Sequence, residues 1–347
     1  MRTIGDIPAE VIKHAFAHLD IYDLLRAAAV SQRWRDLGIE HPAFWKYIVV
    51  TSATAGAFEI LELRLGQGRG RPFLITVDIS DMHPLIVPRL LRRLLPATMY
   101  CVQQLHITLD ANYLLDLWAV LNMRAPELVE FCLTLLSPDR QLPRIPLMPW
   151  IFGNSSDKLC TVSICDVLLP NETIPAFANV QYLQLDYAAN TTLEFPCDVL
   201  EMYPSIGYLT LGAGVIAFSE PFSPAALAGV SRLTKLDINV SPPATTTFVR
   251  CMPRLSQIPV AVLTGYVDFD SMYDFLEPLR SPFHFALMRT GTSRFWIMVR
   301  DLGTGYVRLV SDDLATYHRD AAGIEETNVL FENEDFAPQI EAITLSM

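Results

Sequence analysis

A six-residue pattern, apolar-x-x-apolar-x-apolar, recurs seven times between residues 102 and 260 and limits the fold more tightly than any other feature of the chain. It occurs as Val102-Leu105-Ile107, Leu128-Phe131-Leu133, Leu159-Val162-Ile164 and Val180-Leu183-Leu185, then as Ile206-Leu209-Leu211, Leu233-Leu236-Ile238 and Leu255-Ile258-Val260. The last apolar residue advances by 26, 31, 21, 26, 27 and 22 residues from unit to unit. Such a step holds one short strand and a helical or irregular return, and no unit of this kind can bury its apolar side without a neighbour. Residues 111–123 read as one return, a helix with Leu114, Leu115, Trp118 and Leu121 on one face and Pro126 beyond its end.

If the three apolar positions point inward, the third, fifth and seventh residues of each unit face the other side of a sheet. These are Gln104, His106 and Thr108; Glu130, Cys132 and Thr134; Thr161, Ser163 and Cys165; Tyr182, Gln184 and Asp186; Tyr208, Thr210 and Gly212; Lys235, Asp237 and Asn239; Gln257, Pro259 and Ala261. None is Leu, Ile, Val, Phe or Met, although 51% of the chain is hydrophobic, so the depletion supports the register independently. Tyr182 and Tyr208 hold equivalent places in adjacent units, with Gln184, Asp186, Lys235 and Asp237 around them. Aromatics with a polar tip among such groups form a candidate binding patch for a protein.

The stretch from Ile4 to Val50 follows other rules. Val11, Ile12, Ala15, Phe16 and Leu19 fall at helical spacing after Ile7-Pro8. Asp20 is placed to cap a second helix carrying Leu24, Leu25, Ala28 and Ala29, and Ser31 a third carrying Trp34 and Leu37. The combination Ile7-Pro8-Ala9-Glu10, Phe16, Leu19-Asp20, Asp23-Leu24, Val30-Ser31, Trp34 and Trp45 resembles an F-box, with Ile7 where Leu is commoner. That resemblance implies docking on a Skp-type adaptor and through it on a cullin, with Ile7, Pro8, Ile12, Leu19, Leu24, Val30 and Trp34 among the adaptor-binding residues. It implies a substrate receptor of a ubiquitin ligase that holds a protein target on its repeats; the alternative is a scaffold or inhibitor that binds the adaptor and delivers nothing.

The expected fold class is α/β, a three-helix F-box followed by an irregular solenoid, with a curved parallel sheet, that resembles leucine-rich repeats. Residues 1–50 are the F-box, 51–98 a linker helix and first atypical strand, 99–290 the repeat domain, and 291–347 irregular strands, an acidic loop and a terminal cap. In that last region, residues 293–300 and 306–310 flank Asp301-Leu302-Gly303-Thr304-Gly305 as two strands and a tight turn, and Ile340, Ile343 and Leu345 suggest a terminal unit.

A formal net charge of −12 and the absence of a basic stripe argue against nucleic acid as a partner. Arg64, Arg69 and Arg71, around three glycines, read as a solvated basic loop. No run of 18 uncharged apolar residues predicts a membrane span. The six cysteines, without a CxxC pair, read as reduced thiols of a cytoplasmic or nuclear protein. No HExxH, G-x-S-x-G or phosphate-cradling glycine loop is present, and no histidine has a cysteine or second histidine at metal-ligand spacing along the chain. Neither catalysis nor a cofactor is expected.

Overall fold

The computed structural model describes residues 7–51, 55–68, 70–79, 86–136, 146–188, 190–218, 222–240, 242–264, 269–276, 278–279, 282–290, 294–313 and 340–346. The chain divides into two compact units, residues 1–162 with 167–179, and residues 163–166 with 180–347. The acidic stretch 325–335 and Arg69 lie outside the described residues.

The first unit begins with α1 (Ala9–Phe16), α2 (Ile21–Ala28), α3 (Gln32–Glu40) and the single turn α4 (Pro42–Trp45). Two of its caps are those the sequence offers. Asp20 Oδ1 accepts from the Asp23 amide at 2.8 Å, and Ser31 Oγ accepts from the Trp34 amide at 3.2 Å, so each satisfies a donor that a helix start would leave unpaired. Ile12, Phe16, Leu24, Ala28, Phe44 and Trp45 are buried. Gly38 of α3 packs against this core: a Cβ there would make ordinary van der Waals contact, 3.6 Å from both the Ala28 Cβ and the Phe16 ring.

The chain then forms β1 (Tyr47–Val50), α5 (Ala55–Gln67), β2 (Phe73–Asp78), α6 (Ile86–Arg89), β3 (Val102–Asp110), α7 (Leu114–Leu121) and β4 (Glu130–Leu136). β1 to β4 lie side by side in sequence order, all parallel. Parallel neighbours need a crossover between them, and the helices supply it on the apolar face. That face buries Ile75, Val77, Leu105, Ile107, Phe131 and Leu133. Leu115 departs from expectation and is 83% exposed. Leu114 and Leu121 are buried as the spacing predicts, but Leu117 and Val120 complete the inward face in place of Leu115 and the half-buried Trp118, on a helix entered through a 3-10 turn at Ala111–Tyr113. Arg64 is also not a solvated loop residue: it is buried on α5, donates from Nε to the Phe44 carbonyl and has its pKa pushed down to about 10 by burial.

The strand β5 (Thr161–Cys165) falls on the division between the units. The second unit continues with β6 (Tyr182–Asp186), β7 (Thr192–Glu194), α8 (Cys197–Met202), β8 (Tyr208–Ala213), β9 (Val215–Ala217), α9 (Pro224–Arg232), β10 (Lys235–Val240), α10 (Pro242–Cys251), β11 (Val260–Thr264) and α11 (Phe269–Leu276). It ends with β12 (Phe283–Thr290), β13 (Arg294–Asp301), β14 (Val307–Asp313) and β15 (Ile340–Ser346). β7 and β9 form a small parallel pair of their own. The others run in the order β6-β8-β10-β11-β14-β13-β12-β15.

Two expectations are corrected here. The seventh unit is Ile258-Ala261-Leu263, three residues later than the pattern suggests, because Leu236 pairs with Ala261 and Ile238 with Leu263. Leu255 is buried by a 3-10 turn, Leu255–Gln257, entered through Arg254 at φ 58°, and so does not belong to the strand. The sheet is also not all-parallel, as a solenoid would require. β14 joins β11 in parallel, but β13 is antiparallel to both β14 and β12, which makes the sheet of the second unit mixed. The predicted turn at Asp301–Gly305 is present, with Asp301 Oδ1 accepting from the Gly303 and Thr304 amides. β15 is the edge strand that follows β12 in the sheet, and its Ile343 and Leu345 are 57% and 64% exposed. Among the described residues no helix is long and apolar enough to cross a membrane.

Candidate functional site

Three short helices wound on a small core cannot hide every apolar side chain, and the surplus faces outward. Pro8, Val11, Tyr22 and Val30 are exposed, Tyr22 by 72% and Val30 by 58%. Ile7, Leu19 and Trp34 are half-buried. Arg33 donates from Nη2 to the Ile7 carbonyl at 2.7 Å, which ties the start of the described chain to α3. Trp34 packs edge-on against Phe16 with ring centroids 5.7 Å apart, one side in the core and one side out. Ile12 and Leu24, two of the seven residues expected at a docking surface, lie inside the helical core with 2% and 1% exposure. At helical spacing Ile12 shares its stripe with Phe16, and Leu24 with Ala28, and Phe16, Leu24 and Ala28 meet at Gly38 of α3.

The second candidate is the polar face of the sheet in the second unit. Register lines up three rows across β6, β8 and β10: Tyr182, Tyr208 and Lys235; Gln184, Thr210 and Asp237; and Asp186, Gly212 and Asn239. All six residues singled out from the sequence, Tyr182, Gln184, Asp186, Tyr208, Lys235 and Asp237, therefore meet on three adjacent strands. Tyr182 Oη donates to Gln184 Oε1 at 3.1 Å and lies 3.3 Å from Thr210 Oγ1, while Gln184 Nε2 donates to Asp186 Oδ2. A Cβ at position 212 would stand 2.2 Å from Asp186 Oδ1, so glycine makes room for that carboxylate. The corrected seventh unit presents Val260, Val262 and Thr264 on this face, so its polar character ends at β11.

Burial pushes the Asp237 carboxyl up from the usual carboxylate range; the Lys235 ammonium, 3.9 Å away, pulls it down, and Asp186 adds to the rise. Desolvation outweighs the ion pair. The native state then binds the proton more tightly than the unfolded chain, so ionisation of Asp237 removes stability as pH rises through its raised pKa, and the penalty persists at neutral pH. Asp237→Asn is accordingly expected to raise the urea midpoint at pH 7, with the gain disappearing below the usual carboxylate range.

A further grouping was not visible along the chain. His106 on β3 lies directly opposite Cys132 on β4, and Glu130 precedes Cys132 by two residues on the same face. The His106 Nε2 is 3.0 Å from Glu130 Oε1, and the Cys132 Sγ is 3.8 Å from the same oxygen. A search by linear spacing misses a trio whose members come from different strands. Stacking the units in register would reveal it, because His106 and Cys132 both occupy the fifth position.

Residues 4–51 match the family described as F-box-like. The match covers the helical core and β1. No curated protein matches the chain by sequence.

Proposed function

We propose that this chain is a substrate-recognition subunit of a Skp-cullin-F-box ubiquitin ligase. The F-box-like match at residues 4–51 carries the reading. It is supported by the exposed apolar side chains of the same residues, which lie on a core with its own caps. In this reading Pro8 and Val30, with the outer sides of Ile7, Leu19 and Trp34, press against the Skp-type adaptor. Ile12 and Leu24 act from inside by holding α1 and α2 in place. The polar face of β6, β8 and β10 holds the protein target. Its desolvated Asp237 beside Asp186 would gain from a cationic or hydrogen-bond-donating group on that target, since either would offset the cost of burying the charge. The chain contributes by position: bound to both adaptor and target, it raises the effective concentration of one at the other.

The test is co-purification of the full chain with a Skp-type adaptor, beside the double variant Ile7→Asp, Pro8→Ala. The Arg33 bond goes to the backbone of Ile7, so the variant keeps it. A stoichiometric complex is expected for the unaltered chain. The variant should bind at least about 2 kcal/mol more weakly, roughly thirtyfold, which is the loss typical of an anchor residue. A folded chain that ignores the adaptor would remove the ligase reading altogether, and equal binding by the variant would move the docking surface elsewhere.

A further inference from the structure

The trio on β3 and β4 has no part in docking or in the target face, and its three donors are chemically unlike: an imidazole nitrogen, a carboxylate oxygen and a sulfur. We propose that His106, Glu130 and Cys132 form a three-donor site for a divalent ion of borderline-soft character, with zinc as the ion it fits best. The parallel pairing of β3 and β4 fixes the arrangement. His106 and Cys132 are direct cross-strand partners, about 4.8 Å apart at the backbone, and Glu130 lies one side-chain repeat away on the same face. The three ligand atoms all lie within 4.8 Å of one another, the closest pair at 3.0 Å. Tetrahedral zinc, with bonds of about 2.0 to 2.3 Å, holds its donors roughly 3.3 to 3.8 Å apart. Side-chain rotation of about 1 Å closes the difference without moving either strand.

The donor set selects the ion. Magnesium and calcium take oxygen ligands almost exclusively, whereas one imidazole, one thiolate and one carboxylate are the ligand types zinc accepts together. On binding, the Cys132 thiol gives its proton to solvent, and the neutral His106 ring keeps its single proton on Nδ1 while Nε2 binds. The hydrogen bond between His106 and Glu130 is replaced by two bonds to the ion. His106 and Glu130 keep 34% and 27% of their side-chain surface, so the fourth position faces solvent and takes water or a donor from a partner. The ion would clamp β3 to β4 on the polar face. The competing account is a hydrogen-bonded trio in which Glu130 accepts from both the ring and the thiol.

Cobalt(II) titration of the full chain, stripped of metal with a chelator, separates the two accounts. Thiolate-to-cobalt charge-transfer absorption saturating at one equivalent is expected, with zinc displacing the cobalt. Cys132→Ser should abolish that absorption, and His106→Gln should weaken cobalt binding by at least about tenfold. Replacing the exposed Cys251 with Ala should change nothing. Absence of charge-transfer absorption in the unaltered chain overturns the proposal, as does absorption that survives Cys132→Ser and is therefore carried by another thiol. If Cys132→Ser fails to fold, His106→Gln decides, and unchanged cobalt affinity in that variant also overturns it.

Discussion

Arg308→Ala is expected to destabilise the second unit by about 4 kcal/mol, well into the tail of single-substitution effects. Arg308 is fully buried near the start of β14, opposite Ala261 on β11 and Val299 on β13. Its Nη1 donates to the Ile258 and Val307 carbonyls at 2.9 and 3.1 Å, and its Nη2 to the Leu255 carbonyl at 3.1 Å. The guanidinium also lies 5.6 Å from the centre of the Phe275 ring. It thus ties the 3-10 turn before β11 to the strand beside it. Truncation leaves a cavity and several carbonyls without their donor, each worth about 1–3 kcal/mol when it stays buried and unpaired. Arg308→Met refills much of the space with apolar atoms and should recover about half of the loss. Burial pushes the Arg308 pKa down to about 10, below the value for an unfolded chain. Both states are then charged at neutral pH, and the folded state gains relative stability only above about pH 10. The cost of Arg308→Ala should therefore be flat between about pH 6 and 9. Urea unfolding at several pH values measures it, and a loss below about 1 kcal/mol would mean that the guanidinium is not what holds the turn.

The same region shows why the sequence was readable in some places and not in others. In the six units from Val102 to Ile238 the strands alternate, with branched or long apolar residues inward and polar or small residues outward, so only one phase fits. From Ile258 the run Ile-Pro-Val-Ala-Val-Leu is almost continuously apolar, and the pattern accepts two phases. A buried leucine in a preceding turn was enough to select the wrong one. The turn between β13 and β14 was legible because its glycines and Asp301 are local signals. That β14 inserts beside β11, leaving β12 further out, is a pairing between distant segments that no local pattern encodes.

A comparable limit applies at the candidate sites. The caps Asp20 and Ser31 could be read directly, since capping joins residues three apart. The inward position of Ile12 and Leu24 could not, because two stripes on helices this short look alike until their neighbours are known. Val11 and Ile12 are adjacent in sequence, yet one is exposed and the other buried. For the six residues of the candidate target face, repeat register places them together without knowledge of their contacts. Their hydrogen bonds, and the raised pKa of Asp237, depend on burial that a sequence does not specify.

Phe16→Ala should separate two ways of losing the adaptor binding proposed above. Phe16 is 1% exposed and occupies the middle of the helical core, edge-on to Trp34 and 6.1 Å from the His41 ring, with Gly38 packed against it. Removing a buried phenylalanine ring costs about 3–5 kcal/mol. The helices are eight and nine residues long, too short to persist without tertiary packing. So large a loss is expected to open α1 to α3 locally while the strands further along the chain keep their protection. Hydrogen exchange followed by peptide should show residues 9–40 exchanging much faster in the full-length variant, with adaptor binding lost. The Ile7→Asp, Pro8→Ala variant should lose binding with exchange over the same residues unchanged, because it alters the surface and leaves the core intact. Were Phe16→Ala to bind the adaptor as well as the unaltered chain, the folded three-helix core would not be what the adaptor reads. If instead the surface variant exchanged as fast as Phe16→Ala, Ile7 and Pro8 would be part of the core's support, and their direct contact with the adaptor would have to be given up.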